Sequence, residues 1–347
     1  MDGSNHRGCM ASLRGIALHC PRDHAPLLAE EGQLRCPVCG TVYPVVGGIP
    51  VLIHDGQSAF AIEDYLAGSS DGATSYEGAA YGREADRAGG LRRGYRRMAR
   101  WLGDAPSSIR HPDAAAALAY VHRVQATSRV LVVGSGGLRL GGEEDCVVQT
   151  DVAFAPGVDA IADAHDLPFP DGAFDLVVAV AVLEHVADPQ RCVAEMRRVL
   201  GVGGHVLAVT PFLQPVHMGA YDFTRFTPIG HRRLFRGFDE VAAGMAMGTG
   251  SVAAWTLRGV LQSISGAPWW QRLAGMIGLL ATPPLRLLDS VFRHGADASG
   301  GCWFFGRRRE GAPISDRQLV REYRDGFGIG PCDLPDAPAR PAGSRAR

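Results

Sequence analysis

The chain has no lysine: all 35 of its basic residues are arginine. That excludes a Schiff-base lysine and the lysine that grips phosphate in a P-loop. Net charge is nearly absent, −1 with histidine neutral, so no overall field marks the chain for nucleic acid or a membrane. No uninterrupted apolar run reaches the roughly 18 residues that a spanning helix needs, and no apolar h-region opens the chain. The expectation is a cytoplasmic protein without a transmembrane segment, with membrane-surface contact left open. Eight cysteines in 347 residues are too few for a disulfide framework. What is present is an apolar fraction of 46%, ordinary for a globular protein with a good core.

The pattern is clearest from Arg129 to Phe212. Val130-Leu131-Val132-Val133 runs into Gly134-Ser135-Gly136-Gly137. A second apolar run, Cys146 to Thr150, ends at Asp151. Asp163-Ala164-His165-Asp166-Leu167-Pro168-Phe169 and Phe174-Asp175-Leu176-Val177-Val178 follow, then Glu195-Met196-Arg197-Arg198-Val199-Leu200, Gly203-Gly204 and His205 to Val209. Short apolar runs alternating with helix-length segments predict βαβ units and a parallel sheet. A glycine turn directly after the first strand is where such sheets hold a nucleotide-like ligand.

Outside this stretch the elements are sparser. Residues 1–15 are expected to be disordered and 16–55 to form a small β unit. Residues 56–127 read as a linker, rich in Gly, Ser and Asp from Ser69 to Gly78, with a basic amphipathic helix around Arg92 to Arg100 and a helix from Ala114 to Val124. The main domain is placed at 128–306. Within it, Thr227-Pro228 predicts a capped helix to about Phe235, Asp239 to Met247 a strand, and Cys302 to Phe305 a last strand. Val252 to Arg293 is apolar and helical, broken at Gly266-Ala267-Pro268 and at Pro283-Pro284, and reads as a packed cover (an insertion at about 252–296). Residues 307–347 are expected to form a largely disordered tail.

In the N-terminal unit, Cys36-x-x-Cys39 places two thiolates on one ion and Cys20 adds a third. A structural zinc wants four ligands, and the fourth is Asp23 or His24. With Cys20-Pro21, Cys39-Gly40, Tyr43-Pro44 and Gly48-Ile49-Pro50-Val51-Leu52, the unit resembles the zinc-ribbon domains fused to, or partnered with, some methyltransferases. The resemblance implies a scaffold or protein-partner surface rather than a catalytic metal. Asp23 stands where the full pattern has cysteine, so the implied ligands are Cys20, Asp23, Cys36 and Cys39.

The core, from about Arg129 to Phe235, resembles the class I S-adenosylmethionine-dependent methyltransferases. Asp163-Ala164 with Leu167-Pro168-Phe169-Pro170-Asp171-Gly172, Leu183-Glu184-His185-Val186 and Glu195-x-x-Arg198-Val199-Leu200 carry the likeness. It implies a doubly wound, mostly parallel, seven-stranded α/β sheet of Rossmann-like form, and S-adenosyl-L-methionine as cofactor. Gly134, Ser135 and Gly136 would admit the methionine end, and Asp151 would accept from both ribose hydroxyls. Asp163 and the Ala164 N–H would hold adenine, and Ala179 would leave room beside it. Val132 stands where an acidic residue is frequent, which removes one polar contact. The first helix after the glycine turn must be short. A nicotinamide-binding domain would want a third glycine where Arg139 stands.

In this fold the acceptor is held by loops after the fourth and fifth strands. The segment Pro211 to Thr227 packs His217, Asp222 and Arg225 among aromatics. Histidine is a common general base, and His217 is the candidate for that role. Asp222 would orient it. Arg225 would hold an acceptor anion, or pair with Asp222 to pin the loop. Glu184 and His185 follow the fourth strand, and His185 reads first as a packing residue. The expected function is methylation of a small-molecule or glycan-type acceptor. A non-catalytic scaffold, or an RNA or protein methyltransferase, is the alternative; without aromatic-basic interleaving, nucleic acid is the weaker partner.

Overall fold

The computed structural model describes residues 9–66, 109, 111–125, 128–136, 138, 140–141, 145–287, 289, 296–324 and 334–336. The expected linker at Ser69 to Gly78 and the arginine-rich helix lie outside them.

The N-terminal unit is a set of short strands: β1 (Cys9–Met10), β2 (Ser12–Leu13), β3 (Ile16–Ala17), β4 (Leu28–Glu30), β5 (Gln33–Arg35), β6 (Val42–Val46) and β7 (Ile49–Leu52). β2 and β3 form their own hairpin, and the other five make an antiparallel ladder in the order β1-β4-β5-β6-β7. The unit therefore begins earlier than residue 16, because Cys9 and Met10 pair with Ala29 and Leu28. A short helix, α1 (Glu63–Leu66), follows.

The main domain opens with α2 (Ala114–Val124), capped by the Asp113 carboxylate, which accepts from Ala116 N. Its strands are β8 (Arg129–Val133), β9 (Cys146–Asp151), β10 (Ala160–Ala162), β11 (Phe174–Val180), β12 (Leu200–Pro211), β13 (Phe238–Met247) and β14 (Gly301–Arg308). Across the sheet they run β10-β9-β8-β11-β12-β14-β13. The first five are mutually parallel, and β14 lies antiparallel between β12 and β13.

Val130 to Val133 are all buried, as a parallel strand covered on both faces requires. Leu131 and Val133 point into one hydrophobic cluster, Val130 and Val132 into the other. α3 (Pro189–Val199) packs Val193 and Met196 into the first cluster, while α2 packs Leu118 and Val121 into the second. Helices thus cover both faces, the doubly wound arrangement.

The sheet is larger than the seven strands expected. β7 adds to it in parallel, with Val51 opposite Ile161 and Leu52 opposite Ala162. Pro50, Val51 and Leu52 are buried. β10 would otherwise be an open edge, and the apolar end of the N-terminal unit closes it. Arg14 pairs with Asp159 at 2.8 Å, and His19 N donates to Pro168 O, tying the same two parts together.

After β12 come α4 (Pro228–Leu234), capped by Thr227 Oγ1 on Gly230 N, and then β13. Two longer helices, α5 (Thr249–Ser263) and α6 (Pro268–Leu287), pack on each other. The expected break at Gly266-Ala267-Pro268 is the turn between them, but α6 continues through Pro283-Pro284. Among the described residues of the tail is one further helix, α7 (Asp316–Arg324). No helix among the described residues is long and apolar enough to cross a membrane.

Candidate functional site

A cavity of about 490 Å³ opens at the edge where β8, β9 and β11 end. β8 delivers Val133 into a turn at Gly134, whose φ is +62° and where a Cβ would meet Val182 Cγ2 at 2.5 Å. Only glycine fits there. Ser135 N donates to Thr150 O at 3.0 Å. Its hydroxyl is buried against the cavity and has no hydrogen-bond partner among the described residues. Gly136, at φ +55°, donates its N–H to Asp151 Oδ2 at 2.9 Å. No helix follows the turn among the described residues up to β9.

Asp151 and Asp163 both line the cavity and are almost fully buried. Asp151 Oδ1 accepts from Ala153 N. Asp163 Oδ1 accepts from His165 N and from His165 Nδ1 at 2.6 Å, and Oδ2 accepts from the Ser58 hydroxyl. Burial opposes the Asp163 charge, but the hydrogen bonds from His165 and Ser58 outweigh it and hold this carboxyl below its ordinary value. His165 Nε2 in turn accepts from Asp188 N, the cap of α3. Ala164 lines the cavity.

Ala179 does not. β11 runs two residues further than expected, so Ala179 is buried in the strand opposite Val133 and Ala208. Val180 and Ala181 take its place at the cavity wall. Ala181 adopts φ +55°, a strained turn for a residue with a Cβ.

The loop bearing Asp163 is clamped from below. Arg198 donates to Leu167 O, Phe169 O, Asp171 and Glu195, while Leu167 N donates to Glu195 Oε2. The Glu195-x-x-Arg198 pattern is thus structural support for the site.

At the opposite end the cavity meets the loop after β12. His217 and His185 both line it, with their Nε2 atoms 3.1 Å apart. His185 Nδ1 donates to Tyr221 O at 2.8 Å, which leaves its Nε2 as the basic nitrogen facing His217. Burial, then the neighbouring His217, pushes the His185 value down. Asp222 and Arg225 do not line the cavity. Asp222 accepts from His217 N and from both guanidinium ends of Arg225, and Arg225 also donates to Gln214 O, Pro215 O and Thr224 O. This is the pinning pair, not an open anion site. Glu184 is fully buried, neither carboxylate oxygen has a hydrogen-bond partner among the described residues, and burial raises it to about 7. With His185 and His217 it forms a group whose donor atoms lie within 4.8 Å of one another and could ligate a divalent cation.

Sequence reasoning missed the wall formed by Gln57, Ala59 and Phe60, together with His111 and Asp113. Phe60 stacks on Tyr221 with ring centroids 5.7 Å apart. No local periodicity marks this wall; long-range contact alone reveals it.

In the N-terminal unit, Cys20, Asp23, Cys36 and Cys39 converge with all four donor atoms within 4.8 Å of one another; exposed His24 is not in the group. Backbone N–H groups of Val38 and Cys39 point at Cys36 Sγ, and Arg22 N points at Cys20 Sγ. Such a donor set suits a tetrahedral zinc.

Residues 148–208 match the family described as methyltransferase domain, and residues 17–48 match Trm112p-like protein. Ajmaline N-methyltransferase of Rauvolfia serpentina is 33% identical over 79 residues, 21% of this chain and 27% of that one. The ubiquinone/menaquinone biosynthesis C-methyltransferase of Psychromonas ingrahamii is 41% identical over 68 residues, 19% of this chain and 27% of that one. The chain spans about a quarter of the length of these relatives. A solved complex of the Haloferax volcanii Trm112 methyltransferase activator with a methyltransferase aligns at TM-score 0.37 and 15% identity, covering 68% of this chain and 98% of that one. Residues 148–208 are thus similar to a methyltransferase domain, of the class I S-adenosylmethionine-dependent kind, and residues 17–48 to a Trm112p-like protein.

Proposed function

We propose that this protein methylates a small-molecule acceptor with S-adenosyl-L-methionine held in the cavity. The observation that carries the reading is the unpartnered Ser135 hydroxyl, buried between two left-handed glycines and facing the same space as Asp151 and Asp163. An orphaned buried hydroxyl in a native fold calls for a ligand. Gly134, Ser135 and Gly136 bring backbone to the methionine end. Asp151 accepts from the ribose, while Asp163 and the Ala164 N–H hold the adenine edge. The bound cofactor supplies a sulfonium methyl group, and S-adenosylhomocysteine leaves after transfer.

The chain's own work is alignment, since an in-line displacement depends mostly on it. The acceptor enters between Phe60, Tyr221 and the histidine pair. A hydroxyl or amine acceptor loses its proton to that pair, with His217 at the mouth and His185 behind it. Asp222 and Arg225 position His217 by fixing its loop. The ribbon acts on its own chain through β7, with Cys20, Asp23, Cys36 and Cys39 holding a structural zinc. The cytoplasm is the setting consistent with this reading.

An acceptor screen that reads S-adenosylhomocysteine release tests the activity. With an acceptor in hand, His217→Ala is expected to lower kcat about 100-fold, with KM little changed. Turnover undiminished in His217→Ala would remove the histidine from the mechanism; no release with any acceptor class would leave a scaffold.

A further inference from the structure

The α5–α6 hairpin is built inside out. On α6, Trp269, Leu273, Met276, Leu280 and Leu287 recur at helical spacing, so they share one sector about 60° wide. All are exposed, Trp269 by 65% and Leu280 by 64%. The buried residues are Ala274, Gly275 and Gly278. A Cβ on Gly278 would meet Arg258 Cβ of α5 at 2.7 Å. α5 repeats the arrangement: it buries Gly250, Ser251 and Ala254 and exposes Leu257, Val260 and Ile264. A helix pair facing water buries its large apolar residues. Small residues at the helix contact and large ones outward is the arrangement of helices solvated by lipid.

The charges point the same way. Between Val241 and Leu288 there is no acidic residue; the charged side chains are Arg258, Arg272 and Arg286. A second copy on this face would set arginine against arginine with no acidic counterpart, whereas an anionic lipid surface complements both the charge and the apolar stripe. The position is also suited. Gly301 of β14 pairs with both Pro211 and Met247, so α5 leaves the sheet at the edge where the cavity opens. Between them lies the loop after β12, with Val216 and Phe223 exposed and Phe223 lining the cavity.

We propose that the α5–α6 hairpin seats this protein in the interface of an anionic membrane, with the cavity facing that surface. The proposal stands whether or not methyl transfer is the activity.

Flotation of the full chain with vesicles tests it. Vesicles of phosphatidylcholine with a third phosphatidylglycerol should carry the protein upward, and phosphatidylcholine alone should carry much less. The double variant Trp269→Gln/Leu280→Gln should bind the anionic vesicles about tenfold or more weakly, since each side chain loses its apolar transfer. Its melting temperature and its stabilisation by S-adenosylhomocysteine should match the parent, because both positions are exposed and away from the cavity. Three results would each overturn the proposal. The parent could fail to float on anionic vesicles. The double variant could float as the parent does. The parent could be a dimer that the double variant dissociates, which would place a second copy on the stripe.

Discussion

Two histidines sit where water does not reach. Burial, then the charge of Arg232, holds His231 down to about 3. Burial, then Arg307, holds His205 down to about 4, and its ring stacks on Phe305 at 5.3 Å. Both are neutral in the folded chain but take a proton in the unfolded chain below its ordinary value. The stability each contributes is therefore present above pH ~6.5 and lost as pH falls toward its folded value. From about pH 7 to about pH 5 the loss is about 2 kcal/mol for each. Urea unfolding at those two pH values should show it, and His205→Phe should shrink the difference by about that amount; an unchanged difference would mean that His205 is protonated in the fold. Ser135 gives a second residue-level test. Ser135→Ala removes a buried hydroxyl without a partner. The free protein should gain up to about 1 kcal/mol, while S-adenosylhomocysteine binds more weakly. Equal affinity in the two proteins would show that the hydroxyl faces no ligand.

At the scale of elements, the site depends on how α3 holds the loop from Asp163 to Asp171. Arg198 reaches two carbonyls and two carboxylates of that loop and its own helix. Arg198→Ala should cost about 3 kcal/mol, measured by denaturant midpoint, because it strands a half-buried Glu195 and two carbonyls. A cost near that of an exposed ion pair would make the clamp incidental. Elements with a local signal were legible in the sequence: the glycine turn, the Thr227-Pro228 cap, and the apolar runs of β8, β9 and β11. The end of β11 was not, since strand boundaries depend on pairing with β8 and β12 rather than on Ala179 itself. Gln57 and Phe60 were not legible either, because their place at the cavity follows from contacts such as Ser58 with Asp163, 105 residues apart.

Across the whole molecule, the N-terminal unit and the core share one sheet through β7 and β10. Sequence pattern separated them because the cysteine spacing and the βαβ rhythm are each local, whereas Val51 opposite Ile161 is a long-range pairing. The shared sheet has a thermodynamic consequence. With zinc held by Cys20, Asp23, Cys36 and Cys39, chelation should lower the melting temperature of the entire chain in one transition, seen by calorimetry. Two separate transitions, with the later one unmoved, would show that the ribbon folds independently.

The central claim is that Asp151 and Asp163 grip the nucleoside of S-adenosylmethionine beside the turn at Gly134 to Gly136. Calorimetric titration with S-adenosylhomocysteine tests it most directly. The parent chain should bind one molecule, and Asp151→Ala should lose that binding while remaining folded. No heat from the parent at millimolar ligand, or an Asp151→Ala isotherm that overlays the parent's, would contradict the claim.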